Sequence, residues 1–120
     1  VEKGDFETVA SLFSEEILWH QPGKGIQSGQ YKGKAELFAH LANFANWSNG
    51  TFAIDHIENL TENGELVAAN IHFKAEKANQ SMAMKGIDLL RLVDGKIEEV
   101  WLFSEDIDAE DTFWNFAAKQ

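Results

Sequence analysis

The chain has 120 residues, 44% hydrophobic and 25% charged, enough for one globular domain with a core of its own. Ten basic residues against twenty acidic ones leave a net charge of −10, spread along the sequence; nucleic-acid and anionic-membrane partners need basic clusters, and there are none. With no cysteine, disulfides and thiol nucleophiles are excluded, and no apolar run approaches the roughly 20 residues of a membrane span.

At the start, Asp5 after Gly4 reads as a helix N-cap, and Phe6, Val9, Ala10, Leu12 and Phe13 follow as an apolar stripe at helical spacing. Glu15 and Glu16 close this helix before a short strand, Ile17 to Gln21, stopped by Pro22 and Gly23. In an extended segment Trp19 and Gln21 share one face and His20 takes the other. Residues 23–33 hold four glycines and read as a loop, with a spacing that fits neither the dinucleotide fingerprint nor the phosphate-binding loop. From Lys34 a second amphipathic helix carries Leu37, Phe38, Leu41, Ala42 and Phe44, and ends in the turn-forming residues 46–50. His40 lies on it with no second ligand at zinc spacing, so a surface or satisfied histidine is the simpler reading.

A hairpin follows, with strands Phe52 to Leu60 and Leu66 to Glu76 around Asn63-Gly64. A two-residue turn centred there sets Leu60 opposite Val67, Glu58 opposite Ala69, His56 opposite Ile71 and Ile54 opposite Phe73. That face is mainly apolar, so His56 is expected to look inward. The other face sets Asp55 against His72, an arrangement that stabilises a sheet more often than it performs catalysis.

A second hairpin spans Met84 to Phe103 and turns at Asp94-Gly95. Asp88 stands in it among Ile87, Leu89 and Leu90, across from Val100, Trp101, Leu102 and Phe103. A carboxyl in such surroundings is either solvated or buried, and burial raises its pKa as acid–base catalysis requires. A two-residue turn places Trp101 opposite Asp88 and pairs Arg91 with Glu98; a three-residue turn with a glycine bulge places Val100 there, with Leu102 near. The segment Ser104 to Asp111 has five carboxylates but lacks the central glycine of a calcium loop. Asp108 is expected to cap a closing helix there, with Asp111 three residues on. The sum is an α+β fold, a cone with helices on one face of a curved, mostly antiparallel sheet, and an apolar interior suited to a small molecule.

The order of Gly-Asp, Trp-x-x-Pro-Gly, Gly-x-Tyr-x-Gly and Asp-Gly-Lys-Ile-x-Glu, with GIDLLRLVDGKIEEVW and a closing DIDAEDTFW, resembles the SnoaL-like branch of the nuclear transport factor-like superfamily, which includes ketosteroid isomerases and limonene epoxide hydrolases. The resemblance implies a single cone-shaped barrel over residues 1–120, dimeric through its sheet, with the family's leading helix falling before Val1. It also implies that Asp88 occupies the position of a catalytic aspartate. The isomerase base is replaced by Gln21, which cannot take a proton at neutral pH. Gly86 stands where the epoxide hydrolases have arginine, and Leu102 where the second acid of their triad falls.

The expectation is therefore a cytoplasmic, homodimeric pocket protein without metal or cofactor. It would act on an apolar, oxygen-bearing small molecule by isomerase, cyclase or hydrolase chemistry through Asp88, with Trp19, Gln21, Tyr31, Phe38, His56, Met84 and Phe103 binding in the pocket. The alternative is the same cone serving as a non-catalytic ligand-binding or dimerisation module.

Overall fold

A computed structural model describes residues 10–119; the expected Asp5 cap and most of the expected first helix fall outside them. The elements in order are β1 (Phe13–Gln21), β2 (Gly29–Lys32), α1 (Lys34–Trp47), β3 (Ala53–Asn63), β4 (Leu66–Lys77), β5 (Gln80–Val93), β6 (Lys96–Ser104) and α2 (Ile107–Ala117). Phe13 to Glu16 are thus strand, not the end of a helix. Phe13, Ile17 and Gln21 are the buried positions of this longer strand, and the first two pack with Leu37 and Val100.

Six strands form one curved sheet in the order β2-β1-β6-β5-β4-β3, antiparallel except where β1 runs parallel to β6. The sheet does not close, so the cone is open. Its central strands come from the two hairpins, whose turns settle the local register. Asp94 and Gly95 both have positive φ (51° and 78°), the conformation a two-residue type I′ turn requires. The other hairpin turns one residue later than expected. Asn63 pairs with Leu66, leaving Gly64 and Glu65 as the turn, with Gly64 at φ 59°.

That shift would have moved every partner, but β3 has two bulges, between Ile54 and His56 and between Ile57 and Asn59. Leu60 faces Ala69 by the turn shift alone, the bulge between Ile57 and Asn59 brings His56 opposite His72, and the second bulge restores the Ile54–Phe73 pairing of the sequence reading.

The helices cover the inner face of the sheet. On α1, Leu37, His40 and Phe44 are buried one turn after another. The helix ends at Ser48, whose hydroxyl donates to the Phe44 carbonyl and accepts from Phe52 N–H, tying the helix end to the start of β3. On α2 the cap is Asp106, not Asp108: its carboxylate accepts from Ala109 N–H at 3.1 Å. Glu110, Phe113, Trp114 and Ala117, at helical spacing, form the buried face of α2. Phe44, Phe73, Met82, Met84, Phe113 and Trp114 make the main core, with Trp114 fully enclosed. α2 also grips the glycine-rich loop, since Asp111 accepts from Lys24 N–H and the Gln27 amide, and Asn115 accepts from Ile26 N–H.

Candidate functional site

A cavity of about 570 Å³ lies between the inner face of the sheet and the helices, within the size range of small-molecule sites. Its walls are largely apolar: Phe13, Trp19, Phe38, Phe44, Phe52 and Phe73 give the rings, and Leu41, Ile54, Ile71 and Leu102 the aliphatic surface. Gln21, Asp88, Ser104 and Glu110 are the polar side chains among them.

Alternation along β5 places Asp88. Met82 and Met84 are buried in the core, and two and four residues on come Gly86 and Asp88 on the same face. A side chain at position 86 would have no room: a Cβ there would stand 2.6 Å from the Phe103 carbonyl oxygen and 3.1 Å from the Phe73 ring. Asp88 itself is flanked by Ala69 on β4 and Leu102 on β6, and the small alanine leaves space beside the carboxyl.

The register that brings Leu102 opposite Asp88 is neither of the two expected. The turn has two residues, but Glu98 is the extra residue of a bulge between the Leu92–Ile97 and Arg91–Glu99 pairs. Arg91 accordingly meets Glu99 at 3.4 Å, not Glu98, and Trp101 stands beside Leu89 on the outer face. There it stacks on His20, which also contacts Glu99 at 2.7 Å.

Among the described residues Asp88 has no hydrogen-bond partner, and its pKa is raised from 3.8 to about 6 by burial first and by the charge of Glu110 second. Glu110 differs in company. Ser104 Oγ donates to one of its oxygens and Trp114 Nε1 donates to the other at 3.2 Å. Burial raises its pKa too, while these two donors oppose the shift by favouring the charged form. The two carboxyls thus differ in company: Glu110 has two protein donors and Asp88 has none among the described residues.

At the other polar position, Gln21 Oε1 lies 2.9 Å from Trp19 Nε1 and 2.9 Å from His40 Nε2. His40 is 2% exposed, stacks on Tyr31 with centroids 3.8 Å apart, and is held neutral by burial, its pKa lowered from 6.5 to about 4. It is therefore the satisfied histidine of the simpler reading, buried and not at the surface.

Of the expected pocket residues, Trp19, Gln21 and Phe38 line this cavity with Asp88, while Phe103 only borders it, its side chain 52% exposed beside Ile87 on the outer face of the sheet. Three do not line it. Tyr31 packs on His40 and donates its hydroxyl to the Gln27 carbonyl, and Met84 is buried in the core. His56 is exposed, as is every residue of β3 after Ala53, and it pairs with His72 and not with Ile71. Asp55 and His72 make a 2.7 Å contact outside the cavity. Glu110 went unrecognised within the acidic run, although its spacing to Phe113, Trp114 and Ala117 (i, i+3, i+4, i+7) marks one helix face. Among the described residues no group of three or more metal-ligating side chains is placed to hold an ion.

Fold and site together define a class: an open α+β cone whose apolar interior presents a carboxyl pair and one amide. The family model for the SnoaL-like domain matches residues 1–100, and the chain belongs to that family. A crystal structure from Xanthomonas campestris, of a protein of unknown function with a cystatin-like fold, superposes with a TM-score of 0.89 at 39% identity over 95% of this chain and 88% of that one. Bal32a, from a soil-derived mobile gene cassette, gives 0.87 at 24% identity over 92% and 85%. A candidate SnoaL-like polyketide cyclase from Jannaschia Sp. CCS1 gives 0.72 at 16% identity over 95% and 81%, a likeness of fold.

Proposed function

We propose that the protein carries out proton-transfer chemistry on an apolar, oxygen-bearing small molecule, with Asp88 as general acid or base. The observation behind this reading is a carboxyl without a hydrogen-bond partner of its own among the described residues, facing an apolar cavity beside a second carboxyl that has two donors. The charge on Glu110 works with burial to bring Asp88 towards the pH at which it can both give and take a proton, which is where a general acid–base is most efficient. Such a group contributes ~10²–10⁴-fold to a rate. Isomerisation, cyclisation and hydrolysis all use this step, and the cyclase name of the Jannaschia neighbour is in keeping with the second.

The test begins with thermal-shift screening of steroids, terpenoid epoxides and aromatic polyketides, since a bound ligand stabilises the fold by mass action. Turnover of any stabilising compound is then compared between the wild type and Asp88→Asn. Loss of turnover with binding retained is expected; unchanged turnover would refute the role of Asp88.

A second reading, ligand binding without turnover, draws on Gln21, an amide that cannot take up a proton at neutral pH, and on Leu102, an apolar residue beside Asp88. It predicts stabilising ligands, none of which is converted. In either case two copies would pair through the outer face of the sheet, where Ile87 and Phe103 stand side by side and exposed. Sedimentation velocity should then give a dimer that Phe103→Glu dissociates.

A further inference from the structure

Gln21 is held in a way that the acid–base reading leaves unused. An indole N–H can only donate, so the Gln21 atom facing Trp19 Nε1 at 2.9 Å must be the amide oxygen. That settles the second contact: His40 Nε2, also 2.9 Å from the same oxygen, must carry a hydrogen and donate. Neutral His40 can do this in one tautomer, and its stack against Tyr31 and edge contact with Phe44 hold the ring in place. With its oxygen taken by two donors, the amide cannot flip without setting N–H against N–H.

The amide nitrogen is then the free end. Gln21 is 7% exposed and lines the cavity, and its nitrogen has no partner among the described residues. We propose that Gln21 is the oxygen-recognising residue of the cavity. Its fixed N–H group donates to a carbonyl oxygen of the ligand, selecting apolar ketones over hydrocarbons of the same shape. His40 is the positioning residue behind it.

The inference rests on the cavity being a small-molecule site and narrows the ligand class. A carbonyl compound satisfies the amide, whereas a hydrocarbon of equal volume displaces water and leaves the N–H groups unpaired. The discrimination is therefore larger than the value of one hydrogen bond alone.

The probes are 2-acetylnaphthalene and 2-isopropylnaphthalene, which match in shape and differ in the carbonyl. Binding is read by quenching of tryptophan fluorescence, and the bound ketone by its infrared carbonyl stretch. In the wild type the ketone should bind about tenfold more tightly, its stretch moved to lower frequency. Gln21→Met should bring the ratio close to one and return the stretch towards its value in hydrocarbon solvent. Gln21→Glu guards against a folding defect, because its carboxylate still accepts from Trp19 and His40 but offers no N–H; it should lose the preference as well. His40→Phe should broaden the stretch while leaving hydrocarbon affinity in place.

If the ketone preference persists in folded Gln21→Met, or if the wild type binds both probes equally, the role of Gln21 is overturned and the pocket reading stands. If neither probe binds the wild type, the pocket reading fails and takes this inference with it.

Discussion

Replacing Asp88 by asparagine should make the protein more stable, and only above a defined pH. A carboxyl that ionises near 3.8 when exposed and near 6 in the fold costs the folded state about 3 kcal/mol once charged, an upper figure because cavity water can soften it. The sign follows from proton binding. Between these two values the folded state holds the proton and the unfolded chain has released it, so stability is fully present below about 3.8 and lost as pH rises through 6. Asparagine has the same size and no proton to lose.

At pH 8 the variant should therefore melt higher by up to roughly 10 °C, and near pH 4 by far less. The wild-type profile alone would hide this. His40, whose pKa falls from 6.5 to about 4, acts in the opposite sense: its stabilising neutral form is present above 6.5 and lost as pH falls through 4. Scanning calorimetry of both proteins from pH 4 to 9, with the curves subtracted, removes the histidine. A melting difference that does not change with pH, or that favours the wild type at pH 8, would refute the argument.

Three further outcomes are expected. Glu110→Gln removes a charge while keeping an oxygen for a donor, so the Asp88 pKa should fall, as followed by carbon-detected NMR titration; an unmoved midpoint would assign the shift to burial alone. Ala78 opens the β4–β5 turn at φ 53°, which costs a residue with a Cβ about 1 kcal/mol, so Ala78→Gly should raise the urea midpoint, and a lowered one would contradict the strain. Asp106→Ala should cost about 1 kcal/mol by the same measurement, whereas Asp108→Ala should cost little, because the cap is at Asp106.

The hairpins were legible because their turns are spelled out locally. Asp94-Gly95 can adopt two positive φ values cheaply, and Asn63-Gly64 fell within one residue of its turn. The bulge in β6 also had a sign that alternation alone overlooked. Ile97 and Val100 pack into the core with two glutamates between them, and a strict period of two would have buried Glu99. Inserting Glu98 as an extra residue keeps both apolar residues inside. The parallel pairing of β1 with β6 joins segments about 80 residues apart in the chain, and no short window contains it. For the site, Asp88 stood out because its neighbours are apolar. Glu110 was masked by Glu105, Asp106, Asp108 and Asp111, whose company reads as solvated, and its burial comes from sharing a helix face with Phe113, Trp114 and Ala117. His40 sits on the buried stripe, but the oxygen that satisfies it comes from a residue 19 positions away.

Gly86 limits where this chain could go next. The family resemblance sets an arginine at this position in the epoxide hydrolases, yet here the first atom of any side chain would press on the backbone oxygen of Phe103 and on the Phe73 ring. A ring can be trimmed by a second mutation, but a backbone carbonyl cannot. Acquiring that cation would require β6 to move before the codon changed, and the intermediate would have to fold. The order of events matters, and a single-step search from this sequence would find the route closed.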